Sequence, residues 1–178
     1  MRDWNVVVTA LPARERFLLD ELNQLGTFHR SGFKGVLTGR VEAVDRFLED
    51  VRQALEEGAG WARDLARVLP VERTFSFEPD AFVERLKEAV APFLQRMDSG
   101  TFYVRLQRRG HKGRIVSPEV ERAVDEHLVA LAEHQGKTLR VAFQDPDYVV
   151  AVETVGSVCG VALLPRELRT RYPFVKIK

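Results

Sequence analysis

The sequence predicts a mixed α/β chain of two successive domains, and three observations carry that prediction. Its hydrophobic period switches repeatedly between that of a strand and that of a helix. Through the first 77 residues the switches run β-α-β-β-α-β, the split βαβ order in which one antiparallel sheet carries both helices on the same face. A second series of helix and strand patterns then starts at Pro79, a residue suited to the first turn of a helix because its missing N–H has no partner there anyway. The expected division is 1–77 and 78–178.

In the first domain, Trp4 to Thr9 is a short β-branched run and reads as a strand. Arg14 to Leu25 places Phe17, Leu18, Leu22 and Leu25 on one helical stripe, with Gly26 positioned to end it. Phe28 to Arg30 and Phe33 to Leu37 read as a hairpin around Ser31-Gly32. Val41, Val44, Phe47, Leu48, Val51 and Leu55 predict a helix over about Val41 to Glu57, stopped at Gly58 and Gly60. Val68 to Phe77 is one extended segment that completes a ferredoxin-like sheet.

In the second domain, Phe82, Leu86, Val90, Phe93 and Met97 predict a helix that Pro92 should kink. Thr101 to Gln107 alternates Phe102, Val104 and Leu106 with Tyr103, Arg105 and Gln107, the period of a half-buried strand. Ser117 as N-cap and Pro118 at the first helical position open a helix lined by Val120, Val124, Leu128 and Leu131, with Gly136 as its stop. Leu139 to Phe143, Tyr148 to Val155 and Val158 to Leu164 finish as three strands, separated by the turn signals Asp145-Pro146-Asp147 and Gly156-Ser157.

With 45% hydrophobic and 30% charged residues, the 178-residue chain has the composition of a protein that buries a core. Its longest uncharged apolar stretch, Thr154 to Pro165, has 12 residues, whereas a membrane helix needs about 20. The opening Met1-Arg2-Asp3-Trp4 puts an acid where a secretory signal would begin its apolar run. A single cysteine, Cys159, allows no internal disulfide, so a cytoplasmic home is the expectation. Net charge is +1, which argues against coating nucleic acid by bulk charge. The charge is uneven: residues 1–100 hold 14 basic and 17 acidic side chains, and residues 101–178 hold 13 and 9. Thr101 to Ile115 contains Arg105, Arg108, Arg109, Lys112, Arg114 and His111 and no acid.

The four histidines and one cysteine show no zinc-ligand spacing, and no cofactor fingerprint or nucleophile elbow is present. No metal, cofactor or catalytic residue is therefore expected. Cys159 has apolar neighbours, which favours an inert buried thiol over a nucleophile. Gly110-His111-Lys112-Gly113 has glycines that let backbone approach phosphate closely, although in KH modules such a loop joins two helices rather than following a strand. Tyr103, Arg105, Gln107 and Arg109 should share one face of the strand. There guanidiniums would grip phosphate and a ring would stack on an unpaired base; the bland alternative is a solvated edge strand whose charges deter aggregation. Arg166, Arg169, Arg171, Lys176 and Lys178, with Glu167 the one acid, form a second basic candidate or a solubilising tail.

The run Phe143-Gln144-Asp145-Pro146-Asp147-Tyr148-Val149-Val150-Ala151-Val152-Glu153, followed by Gly156-Ser157-Val158-Cys159-Gly160-Val161-Ala162-Leu163, resembles the closing strands of THUMP domains. In particular it looks like those of stand-alone THUMP proteins related to the adaptor for tRNA cytidine acetylation, and the Arg169-Xaa-Arg171-Tyr172 ending is similar too. The resemblance covers about Pro79 to Lys178. It implies a ferredoxin-like domain followed by a THUMP-like domain. It further implies a non-catalytic tRNA-binding protein that takes up the acceptor stem and 3′ end and assists a tRNA modification enzyme. In such proteins catalysis resides in an appended domain, and none is recognised here. The implied RNA contacts map onto Arg105, Arg108, Arg109, Lys112 and Arg114, with Tyr103, His111, Arg169 and Arg171 as further candidates. Two other classes stay open: a protein interaction module whose basic strand meets an acidic partner, and a small enzyme using Cys159.

Overall fold

A computed structural model describes residues 3–177; Met1, Arg2 and Lys178, the last of the C-terminal cations, lie outside them. The described chain divides into two compact units, one formed by residues up to Val71 together with Arg169–Lys176, the other by Glu72–Leu168.

The first unit runs β1 (Val6–Ala10), α1 (Glu15–Leu22), β2 (Thr27–Arg30), β3 (Val36–Arg40), α2 (Val44–Glu56), a 3-10 turn at Gly60–Asp64 and β4 (Leu65–Pro70). Its sheet has the order β2-β3-β1-β4 with every pairing antiparallel, which is the ferredoxin-like arrangement. Leu18 and Leu22 of α1 and Phe47, Leu48 and Val51 of α2 are buried. The structure corrects the α1 stripe. Phe17 is 56% exposed, and the Arg14 guanidinium carbon stands 4.7 Å from its ring centroid, held there by hydrogen bonds of 2.8 and 3.2 Å to Asp64. The hairpin also differs, because Phe33 lies in the turn and β3 begins at Val36. The Ser31 hydroxyl accepts from the Phe33 N–H and closes that turn locally.

Residues 169–176 complete this unit. The Val68 N–H donates to the Phe174 carbonyl at 2.9 Å, and Val175 forms a parallel bridge with Val68. The Tyr172 hydroxyl donates to Glu49 at 2.6 Å, and Arg171 binds the same carboxylate. Donation first from Tyr172, then from Arg171 and Arg52, brings the Glu49 carboxyl down to about 2.

The second unit contains β5 (Arg73–Ser76), a 3-10 turn at Pro79–Ala81, α3 (Phe82–Val90), a 3-10 segment at Ala91–Arg96, β6 (Gly100–Gln107), α4 (Ser117–His134), β7 (Leu139–Val141), β8 (Tyr148–Val155) and β9 (Val158–Pro165), after which α5 (Arg166–Arg171) follows. The sheet order is β5-β9-β8-β6-β7, with β6 parallel to both β7 and β8 and the other pairs antiparallel. Phe82, Leu86, Val90 and Leu94 pack with Phe102, Val104, Val124 and Leu128 in one buried cluster.

Three local expectations change. The extended segment from Val68 to Phe77 is two strands in two sheets. Val71 donates to Asn5 in the first unit, whereas the Glu72 N–H turns to Val161 in the second. The Glu72 carboxylate accepts there from the Leu163 N–H at 2.7 Å, which fixes the start of β5. Pro92 produces a change to 3-10 geometry from Ala91 rather than a kink in a continuing helix, a common way to tighten a helix end. Ser117 is the first helical residue of α4 and makes no capping hydrogen bond, the cap position falling on Val116.

One contact in the first unit tests this packing. A Cβ on Gly39 would fall 2.2 Å from Cδ1 of Phe28, whose ring packs on Phe47 with centroids 5.7 Å apart. Gly39→Ala must displace that ring, and an overpacked core loses about 1–3 kcal/mol. The expected result is a lower urea midpoint with an unchanged denaturant slope.

Candidate nucleic-acid interface

Burial along β6 alternates as its sequence does: Phe102, Val104 and Leu106 are buried, and Tyr103, Arg105 and Gln107 are half-exposed on the opposite face. Strand β6 lies between β8 and β7 only over Gly100–Phe102, and beyond them its open side is met by α4 through Asp125 instead of being left to solvent. The register Thr101↔Arg140 sets Arg140 on the same face as Tyr103 and Arg105. This cation escapes sequence reading, although the alternation Leu139-Arg140-Val141 marks it. The Arg105 guanidinium carbon is 5.3 Å from the Tyr103 ring centroid, and the rings of Tyr103 and Phe143 are 5.8 Å apart. Phe143 is 67% exposed, so this end of the sheet offers an accessible ring beside two guanidiniums.

The basic loop is pinned rather than open. The Arg109 N–H donates to the Thr154 hydroxyl at 2.9 Å, and the Arg109 carbonyl accepts from the Gly156 N–H at 3.0 Å. Gly110 has φ +98, and a Cβ there would lie 3.3 Å from the Gly156 Cα, so both backbone conformation and close approach favour glycine. His111 adopts φ 53; its Nε2 is 3.1 Å from the Ser157 hydroxyl, and its ring is 5.4 Å from that of Phe77. Its carbonyl accepts from the N–H groups of both Arg114 and Ile115.

The cations of this loop divide into distinct roles. Arg109 binds the wholly buried carboxylate of Glu153 and is itself 10% exposed at the side chain, so it serves the interior. Arg108 donates to the Gly110 carbonyl. Arg114 meets Asp80 at 3.0 Å in an exposed pair, a kind that contributes little and yields easily to another anion. Lys112 is exposed.

The C-terminal cations are spread out. Arg166 binds Asp145 and Asp147 at 3.3 and 2.8 Å, Arg171 holds Glu49, Arg169 is half-buried in α5, and Lys176 is exposed. The Asp145-Pro146-Asp147 turn is thus an anchor. The Asp147 carboxylate accepts from the Thr101 N–H at 2.9 Å and the Thr101 hydroxyl at 3.2 Å, contacts that hold it below the usual carboxylate range.

Acids secure the other side of β6. β7 pairs only with Gly100–Phe102. Beyond it the Val104 N–H donates to Asp125 on α4 at 2.9 Å, and the Leu106 N–H is bonded to Glu121. Burial pushes Asp125 up to about 6, against the Val104 bond and helped by the negative charges of Glu121 and Glu126. Burial also raises Glu121, against the opposing effect of Arg105. Cys159 is fully buried, and burial, followed by the charge of Glu153, lifts its thiol well above the ordinary value. That runs against a thiolate nucleophile at neutral pH.

Comparison with known proteins bears on this geometry. A family model, the THUMP domain, matches residues 80–164. These residues form a THUMP domain. The module is associated with RNA binding and tRNA modification. No curated protein matches the chain. Among solved structures, TrmN from Thermus thermophilus is 22% identical, with a TM-score of 0.64 over 90% of this chain and 45% of that one. PH1313 from Pyrococcus horikoshii Ot3 is 11% identical, with a TM-score of 0.63 over 90% and 54%. A 4-thiouridine synthetase solved as an RNA complex with bound ATP is 15% identical, with a TM-score of 0.56 over 91% and 41%. The chain spans about half the length of these structures, which share the fold of both its units. Among the described residues no helix of the THUMP domain or of the first unit is long and apolar enough to cross a membrane.

Two measurements test the site. Arg109→Ala leaves the buried Glu153 carboxylate without its guanidinium and should lower unfolding stability by about 3–5 kcal/mol, read in urea. Asp125 differs in being pH-dependent: its folded value of about 6 lies above the unfolded value of about 3.9. The folded state therefore takes up the extra proton, so the contribution of this group to stability is full below about pH 4 and is lost as pH rises through about 6. Asp125→Asn keeps an acceptor for Val104 and should stabilise the protein by about 1–3 kcal/mol at pH 7.5, the gain shrinking toward zero near pH 4.

Proposed function

We propose that the chain is a non-catalytic tRNA-binding protein of the cytoplasm, which presents the acceptor stem and 3′ end of tRNA to a modification enzyme. The observation that carries this reading is the surface on which Arg105, Arg140, Tyr103 and Phe143 lie together, within the domain whose family is associated with RNA. Guanidiniums grip phosphates in a fork, and an exposed ring stacks on an unpaired base. Lys112 and Arg108 extend the basic area along the loop, with Arg114 available once it leaves Asp80. His111 positions the loop through Ser157. Arg109 supports the site from inside through Glu153, and Arg169 and Arg171 belong to a separate part of the chain. The resemblance to the cytidine acetylation adaptor supports an enzyme partner of that kind, with the partner supplying the chemistry.

Neutralising about four phosphates on single-stranded RNA gives a slope near −3 for log affinity against log salt. Arg105→Ala/Lys112→Ala removes two contacts and should bring the slope to about −1.5, with weaker binding of tRNA by fluorescence anisotropy. Unchanged affinity and slope would move the binding face elsewhere. A tRNA trimmed of its 3′ end should bind more weakly than intact tRNA; equal binding would remove the end-recognition part of the reading.

A further inference from the structure

The flank of α4 that borders β6 beyond its pairing with β7 forms, with β7 and the residues after it, a cleft of about 580 Å³. Its floor is apolar, with Val129 and Ala130 from the helix and Val141 and Phe143 from the strand side. Val141 is 40% exposed and Phe143 67% exposed. Its wall is acidic: Glu121, Asp125, Glu126 and Glu133 stand there, against Arg122 as the one lining cation.

The strand at the bottom of the cleft ends the sheet, and among the described residues no strand pairs with its outer side. Exposed edges are ordinarily blunted by charge, proline or a covering element. The open stretch of β6 is covered in that way by Asp125 and Glu121, whereas β7 ends in the exposed Val141, with the exposed Phe143 two residues beyond it. An open edge next to a helix flank is the geometry in which an extended segment adds a strand: backbone bonds hold the segment, and every second side chain enters the groove.

We propose that this cleft docks an extended, basic segment of a partner protein, which adds along β7 and presents both apolar and arginine or lysine side chains to the groove. The apolar side chains rest on Val129, Val141 and Phe143, and the cations face Glu126 and Glu133 at the wall. Charge complementarity selects this occupant, since four carboxylates against one guanidinium repel a phosphate backbone and attract a cationic chain. The cleft adjoins the sheet face assigned to RNA and meets it at Phe143; its occupant follows from the lining charge whether or not that face binds tRNA.

The test uses a synthetic peptide in which leucine and arginine alternate at every second position with serine between them, and a control with glutamate for arginine. The arginine peptide should bind the full chain at least tenfold more tightly than the control. Val141→Ser and Glu126→Lys/Glu133→Lys should each weaken its binding at least tenfold; all three side chains are exposed, so folding is retained and is checked by circular dichroism. Equal binding of the two peptides, or indifference to both variants, would overturn the proposal. So would an RNA affinity that falls in Val141→Ser while peptide affinity holds, which would give the cleft to RNA.

Discussion

Strand β6 must satisfy its backbone on both sides although β7 accompanies only its first three residues, and much of the second unit follows from that constraint. A buried N–H left without an acceptor costs about 1–3 kcal/mol, so α4 brings Asp125 to Val104 and Glu121 to Leu106. Using carboxylates for this has its own consequence. They sit at a partly buried strand edge where their charged forms are disfavoured, and they give that flank of α4 its negative sign. The beginning of β6 is held by Asp147 at Thr101, and its end by Arg109 on Thr154 and Glu153. Acidic groups from three places therefore fix one strand.

That arrangement explains how much of the site was legible. Alternation in Thr101 to Gln107 is a local property, and β6 shows it residue by residue; the same holds for α4, whose span runs from Ser117 to His134, and for the hairpin turn at Gly156-Ser157. A charge count over neighbouring residues fails for a different reason. The loop contains no acid, yet Arg109 finds one 44 positions away and Arg114 one 34 positions away, and Arg171 reaches back 122 positions to Glu49. Folding brings these carboxylates in. The split of Val68 to Phe77 was hidden likewise, because both halves have strand character and only the hydrogen bonds of Val71 and Glu72 send them to different sheets.

Family likeness and ligand contact also rest on different residues. The Asp-Pro-Asp turn and its flanking strands carry the resemblance, and the structure uses them to hold Thr101 and Arg166 in place. A motif can therefore identify a fold through residues that meet no ligand, while Arg105, Arg140 and Phe143, on which the RNA reading depends, have no signature beyond their alternation and exposure. The exposed ring and its neighbouring guanidiniums are a property of the register between β6 and β7.

A net charge of +1 conceals this segregation. On one face of the second sheet Arg105 and Arg140 stand beside aromatic rings; on the flank of α4 four carboxylates surround an apolar floor. Over the roughly 8 Å Debye length of physiological salt, a ligand senses the local sign and not the total. A polyanion and a cationic segment are accordingly drawn to different charged groups of the same small domain, although the two surfaces meet at Phe143. The near-neutral composition is what two opposed and adjacent charge patterns leave when added together.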